Sequence, residues 1–574
     1  MHIVDWIVLG LTTCFIVFYG VWKTRNTSNV ESYLIGDRDL KWWSIGLSIM
    51  ATQASGITFL STPGQAYDDG MRFVQFYFGL PIAMIILAIW VLPQFYKLQV
   101  FTAYQYLEQR FDLKTRFFTA LLFLIQRGLA AGLTIYAPSI ILSTILGWNL
   151  TLTNIFIGGL VVIYTAFGGS KAVSATQQMQ MFVIISGLFI ALGVVIYKLP
   201  PQVSFNDALT IAGGMGKLNL VDFKFDPSNR YNFWSGILGG TFLFLSYFGT
   251  DQSQVQRYLS GKSLTESRLG LLFNGILKVP MQFVVLFVGM MVFVFYQFTT
   301  PPIHFNNVNL EKLENSAQAS DLQQLKTEYN KVIDSKHLVL ADMVESIHQN
   351  DKVAVQSNNQ KVLDFNKTEK TIRSKVKELV KKSDKELVAD DTDYIFITFV
   401  TQHMPIGIIG LLIAVIFAAS MSSTASELNA LATTTIVDFY KRAFVKHKDD
   451  RHYFKASIFF TILWGILAIF FAIFASLFDN LIEAINIIGS VFYGVILGIF
   501  MTAFFLKSVR GNAVFYAAIT TQLLIFTIFA LDKLGYIKVA YLWLNMIGCV
   551  VVLILAYVLN IFHNGIINRK RYDI

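Results

Sequence analysis

Four serines and a threonine fall within seven residues, Ser420 to Ser426, inside an apolar run from Ile406 to Val437. Hydroxyl and carbonyl oxygens with no carboxylate among them form a weak, dehydrating cage suited to a monovalent cation. The same small hydroxylated residues also suit close helix packing and interhelical hydrogen bonds. On this stretch alone both readings stand.

A second polar stretch interrupts the apolar run 42–62. Its centre, Thr52-Gln53-Ala54-Ser55-Gly56-Ile57-Thr58, is poor material for a continuous helix, and the composition predicts a break there. A break would free carbonyls, which a membrane tolerates only where they line a protein cavity or hold an ion. Ser246-Tyr247-Phe248-Gly249-Thr250-Asp251-Gln252 predicts a similar break in the run 233–250. Ionisable groups inside apolar runs each call for a functional reading. Lys278 either snorkels or contacts substrate or a cavity. Arg127, after Gln126, raises the question of an anionic substrate. Glu427 reads as a helix-end residue facing a cytoplasmic vestibule, and Asn486 as an amide ligand for substrate. No nucleophile elbow, Gly-rich phosphate loop, paired-carboxylate pattern or His/Cys/Asp metal spacing is present in the sequence, so an enzyme has no residues to support it. Without a nucleotide-binding motif, any transport is expected to run on an ion gradient.

The elements that must position these residues follow from composition. With 574 residues, 54% hydrophobic and 14% charged, and mean hydropathy +0.54, the chain is read as a polytopic membrane protein. Apolar runs of about 20 residues can each cross a hydrocarbon core of roughly 30 Å, and helices satisfy their own backbone there. Thirteen spans are expected: 3–22, 42–62, 73–96, 117–146, 151–167, 178–198, 233–250, 270–298, 404–437, 454–477, 480–507, 512–531 and 538–562. The first, with Asp5 near its start and basic residues after it, reads as a retained span. Cys14 and Cys549 both fall in apolar runs, implying no disulfide framework.

Basic residues cluster at Lys23 to Lys41, Lys97 to Arg116, Lys171, Arg257 to Arg268, Lys441 to Lys455, Lys507 to Arg510 and Arg569 to Arg571. All lie on one side if the chain crosses thirteen times. That side should be the cytoplasm of a cell or inner membrane, with the N-terminus outside and the C-terminus inside. The net charge of +9 then reflects inward loops, not nucleic-acid binding. Residues 300–394 are polar and fall outside. Leu310, Leu313, Leu322, Leu325, Val332, Leu338, Leu340 and Met343 recur at helical spacing, predicting partly amphipathic helix. The expected division is 1–299 with spans one to eight, the insert 300–394, and 395–574 with spans nine to thirteen. The two predicted breaks each open a five-helix block, about 42–198 and about 233–507. Five is odd, so the blocks would lie inverted, the layout of a secondary transporter with its site at the broken helices.

Several segments together resemble the sodium:solute symporter family, which includes sodium–glucose, sodium–iodide, monocarboxylate, proline and sialic-acid carriers. They are Thr102 to Phe111, Tyr164 to Val173, Asp251 to Leu259, and the serine cluster with Ser426, Leu428 and Asn429. The resemblance covers essentially all spans. It implies an all-α, LeuT-type inverted-repeat core with two broken helices. It also implies a sodium site made by the carbonyls of Ala51, Ala54 and Ala419 and the hydroxyls of Ser422 and Ser423. For substrate it points to Gln53, Ser55, Thr58, Tyr77, Tyr247, Lys278 and Asn486. The chain departs from the family at Thr176-Gln177, where Thr-Asp is usual. A neutral Gln cannot supply the charge that helps hold a second sodium, so a single sodium per cycle is expected. Tyr77 and Thr58 replace the substrate-binding Glu and the Gln or His of the sugar carriers, and residues 55–67 look closer to the iodide and monocarboxylate branch. Arg127 lies about one turn from where the sialic-acid carriers place a carboxylate-binding Arg. The implied function is sodium-coupled uptake of a sugar, polyol or organic anion. Its alternatives are a transporter-like solute sensor, which the dozen or so residues after the last span argue against, and an inorganic-anion symporter. The implied partners are a small-molecule substrate and the lipid bilayer; the sequence leaves the oligomeric state open, a monomer included.

Overall fold

The structure, a computed structural model, describes residues 1–23, 33–34, 36, 38–98, 100–384, 387–475 and 480–572. Arg25 lies outside these, as do the side chains of Lys23, Phe167, Lys171, Ala172, Arg569, Lys570 and Arg571. Among the described residues helices are joined by turns and irregular loops, and β pairing is confined to one isolated bridge between Leu40 and Gly261. Its principal helices are α1 (Ile3–Lys23), α2 (Trp42–Gln53), α3 (Gly56–Asp69), α4 (Leu113–Leu146), α5 (Leu150–Tyr197), α6 (Gly240–Thr250), α7 (Gln252–Leu259) and α8 (Leu264–Phe298). They continue with α9 (Ala319–His348), α10 (Lys352–Ser383), α11 (Ile408–Thr434), α12 (Asp450–Ile473), α13 (Leu481–Phe505), α14 (Gly511–Lys533) and α15 (Leu542–Tyr572). Nine helical stretches among the described residues are long and apolar enough to cross a membrane, and two shorter apolar helices cover Ile3–Ile16 and Leu150–Ala166.

Local sequence sets the boundaries. The Asp112 side chain accepts from the Thr115 amide to start α4, and left-handed Gly147 ends it. Ser263 and Asn480 cap α8 and α13 in the same way. α11 begins at Ile408, later than the apolar run suggests, because Pro405 and left-handed Gly407 (φ 88°) end the preceding turn. Both predicted breaks are present. α2 stops at Gln53, where Ala54 (ψ 75°) and Ser55 (ψ 168°) leave helical geometry. α6 and α7 are separated by Asp251 (ψ 119°). α5 spans two expected segments and is interrupted at Gly169, whose φ of 58° and ψ of −172° no helix accommodates. α8 packs along both halves of the first broken helix, and α11 lies against α5, α4 and α1.

The insert is a helical hairpin. α9 and α10 are joined by Gln349–Asp351, short enough to force them antiparallel. Leu313, Leu322, Leu340 and Met343 are buried, and Leu310, Leu325 and Val332 pack against the hairpin core; Leu338 is 71% exposed and takes no part in it. Its base is tied by Asp391, which accepts from the Phe305 amide (2.8 Å) and from Arg373 (2.7 Å) and pairs with Lys377 (2.9 Å). Burial alone would raise the Asp391 carboxyl, but Arg373, with His304 and Lys377, holds it well below the usual carboxylate range.

A Cβ on Gly289 would overlap the Pro63 backbone, so α8 meets α3 at a glycine contact. Overpacking of such a contact costs about 1–3 kcal/mol. Gly289→Ala is therefore expected to lower the melting temperature of the purified protein, while Leu338→Ala leaves it unchanged, as read by scanning fluorimetry.

Candidate ion and substrate site

Ending a helix inside the fold frees particular carbonyls. In a continuous helix the Thr58 amide would bond Ala54; instead it donates to Ser55 O at 2.9 Å, and the Ala54 carbonyl is released. Across the break lies α11, so close that a Cβ on Gly56 would collide with Ser420. The Ser422 hydroxyl donates to Ala51 O at 3.1 Å, an interhelical bond. The Ser423 hydroxyl donates to Ala419 O at 3.0 Å and Ser420 O at 3.2 Å, the back-bond usual for serine in a helix. Ala51, Ala54, Ala419, Ser422 and Ser423 are all buried. Their donor set is carbonyl and hydroxyl oxygen only, which fits sodium, a hard monovalent cation.

One turn further along α11, Gln177 of α5 fills the middle of a hydroxyl cluster. Its amide nitrogen donates to Thr52 Oγ1 (3.0 Å) and Ser426 Oγ (2.8 Å), and those hydroxyls lie 3.1 Å apart. Its carbonyl oxygen accepts from Ser48. The sequence shows that Gln177 is neutral; it does not show that the amide NH₂ bridges the two oxygens that would share a cation.

Beside the break a cavity of about 80 Å³ is lined by residues of α2, α3, α4, α6, α11 and α13 and of the turn before 79. Gln53, Ser55, Thr58, Tyr77, Tyr247 and Asn486 all line it. Lys278 does not: it is fully buried in α8, and its Nζ has no hydrogen-bond partner among the described residues. Phe76, Tyr77 and Phe244 form an aromatic wall, with ring centroids 5.0–5.7 Å apart.

The floor of this cavity holds a charge cluster that sequence reasoning left unassembled. Arg127 pairs with Asp251, donates to Glu427 Oε1 at 3.1 Å and to the Tyr493 hydroxyl at 2.6 Å, and lies 5.3 Å from the Tyr247 ring centroid. Tyr493 donates to Asp251 at 3.0 Å, and Thr134 donates to Glu427 Oε2 at 2.6 Å. Glu427 therefore lines this cavity from within α11 rather than from a helix end, and Arg127 is engaged by two carboxylates instead of being free for an anion. A signal was available: ionisable residues in apolar surroundings pair with one another. Their partners, 124 and 300 residues apart along the chain, are not readable from spacing.

A model of the sodium:solute symporter family matches residues 33–321 and 386–521. The human sodium/iodide cotransporter is 34% identical over 270 residues, covering 47% of this chain and 41% of that protein. The mouse sodium-coupled monocarboxylate transporter 2 is 34% identical over 259 residues, covering 45% of this chain and 41% of that protein. The chain thus spans about two-fifths of the length of these curated relatives. The substrate-bound, outward-open structure of a Na⁺-coupled sialic acid symporter superposes with a TM-score of 0.73 at 22% identity, covering 98% of both chains. That likeness shows a shared all-helical fold. The relatives are transporters, not enzymes, and the family match covers about three-quarters of the sequence. The chain belongs to the sodium:solute symporter family.

Proposed function

We propose that this protein is a sodium-coupled secondary symporter that carries a small organic solute into the cell by alternating access, with one sodium per cycle. The observation that most supports this reading is the Ala54 carbonyl freed at the break, with the Ser422–Ala51 and Ser423–Ala419 oxygen pairs beside it. Sodium binding there ties α11 to the broken helix and favours the outward-facing arrangement. Solute binds in the adjoining cavity at Gln53, Ser55, Thr58, Tyr77, Tyr247 and Asn486. The two five-helix blocks then rock, and both cargoes leave inward where sodium is dilute. At a potential of ~100 mV, one inward charge contributes roughly 2.3 kcal/mol, and the concentration gradient adds to it.

The single-sodium stoichiometry rests on Gln177. Its amide donates where a second cation would have to accept oxygen, and it carries no charge to offset one. On this reading thirteen crossings are made by dividing the stretch Gly56–Leu98 between the interrupted helix 42–69 and a separate span 70–98, and adding the interrupted helix 235–259 to the other eight long and two short apolar helices. The N-terminus then lies outside and the C-terminus in the cytoplasm of the cell membrane. The parts 1–299 and 395–574 form the bundle, and 300–394 is an external insert.

Sodium, and not potassium, is expected to raise the melting temperature of the purified protein. A ligand at 100 times its Kd stabilises by about 2.7 kcal/mol. Ser423→Ala should remove that difference; equal stabilisation by both cations would reduce the cage to helix packing and sink the symport reading. Gln177→Asp is expected to change the sodium dependence of solute uptake in proteoliposomes from hyperbolic to sigmoidal. An unchanged hyperbola would mean that the cluster around Gln177 has no room for a second ion.

A further inference from the structure

Among the described residues, three buried side-chain atoms of the cavity lining have no hydrogen-bond partner, and two of them are acceptors. Tyr493 has one proton, and it goes to Asp251 at 3.0 Å. Its oxygen therefore accepts from Arg127 at 2.6 Å and from Gln126 Nε2 at 3.3 Å. That fixes the Gln126 amide with its NH₂ toward Tyr493, and leaves Gln126 Oε1 buried without a partner. Gln53 Oε1, also in the lining, is buried without a partner as well. Glu427 has one bond from Thr134 and a 3.1 Å contact with an Arg127 already engaged by Asp251 and Tyr493. Two carboxylates share one guanidinium, so the floor carries a formal surplus of one negative charge, and Glu427 presents it to the cavity. Against these acceptors, the one buried donor of the lining without a partner among the described residues is Arg127 Nε, while the hydroxyls of Ser55, Thr58 and Tyr77 can donate or accept. Buried acceptors left unpaired are costly, and a ligand that supplies their protons recovers that cost.

We propose that Glu427 is the specificity-determining residue of the solute site, accepting hydrogen bonds from a neutral, polyhydroxylated solute of the sugar or polyol class, and that its charge excludes anions. This rests on the proposed symport reading and narrows its substrate. The hydroxyls of such a solute donate to Glu427, Gln126 Oε1 and Gln53 Oε1. Its C–H faces lie against Phe76, Tyr77 and Phe244. An iodide or monocarboxylate would bring a second negative charge to Glu427, with Arg127 already occupied.

The test uses the full-length protein in sodium, with hexoses, pentoses, inositols, lactate, iodide and choline as probes, read by thermal shift and calorimetry. Stabilisation is expected from hydroxylated solutes and not from lactate, iodide or choline. Glu427→Gln leaves Arg127 and Asp251 as a matched pair, so folding and stabilisation by sodium alone should survive. Affinity for the hydroxylated solute should fall about 10- to 100-fold, the range for a hydrogen bond to a charged group. Gln126→Leu removes a neutral acceptor and should weaken the same solute about 3- to 10-fold; it decides the matter if Glu427→Gln fails to fold. Binding of lactate, iodide or choline in preference, no binding by any hydroxylated probe, or unchanged affinity in Glu427→Gln would each overturn the assignment. In those three cases sodium stabilisation remains and the symport reading stands. Loss of sodium selectivity in the wild-type protein would instead strike the symport reading itself.

Discussion

A helix that stops inside a bilayer must find new partners for the backbone groups it releases, because each one left unpaired costs several kcal/mol. The two breaks meet this constraint in opposite ways. At the first break the released groups are the carbonyls of Ala51 and Ala54, and the neighbouring α11 brings the Ser422 hydroxyl to Ala51 O. At Asp251 the groups needing partners are the first amides of α7, and the Asp251 side chain takes one, from Ser253 at 2.9 Å. The first solution gives an uncharged oxygen cage. The second places a carboxylate in the protein interior, and that carboxylate needs a cation.

Arg127 is the cation that answers it, and the rest of the cavity floor follows. A guanidinium offers five donors in a fixed fork, so it can bind Asp251, Glu427 and Tyr493 together, from α4 to the α6–α7 break, α11 and α13. Burying charges this way is favourable only when nearly every donor and acceptor is matched. Here two carboxylates share the one guanidinium, and on the proposed reading the surplus charge at Glu427 is what a solute meets.

The features set by local chemistry were legible in the sequence. Thr52 to Thr58 and the stretch around Asp251 contain residues that a membrane helix avoids, so both breaks could be placed. The hydroxyl cluster on α11 needs only composition to be noticed. What depends on the register between distant helices was not legible. Glu427 looks like a helix-end residue until α4 is laid beside it, and Leu338 fits the apolar spacing of α9 although it faces away from the hairpin partner. Helical periodicity gives a face; it does not say which neighbour covers that face. Gln177 is an intermediate case, since its lost charge is visible in the sequence and its bridging amide is visible only in the fold.

α11 carries Ser422 and Ser423 at the ion cage, Ser426 under the Gln177 amide, and Glu427 at the solute cavity, all within six consecutive residues. Ser423 and Glu427 are four residues apart and so lie on one face of the helix. On the proposed reading, an ion that draws α11 toward the broken helix also sets the height of Glu427 relative to the aromatic wall. A solute held by Glu427 would in turn fix α11 where the oxygen cage closes. Such linkage is reciprocal by thermodynamic necessity: whatever affinity sodium lends the solute, the solute returns to sodium. A neutral cage beside a charged floor suits that exchange. The ion then meets no carboxylate that would trap it, and the solute meets no bound cation that would compete with its own hydroxyls for Glu427.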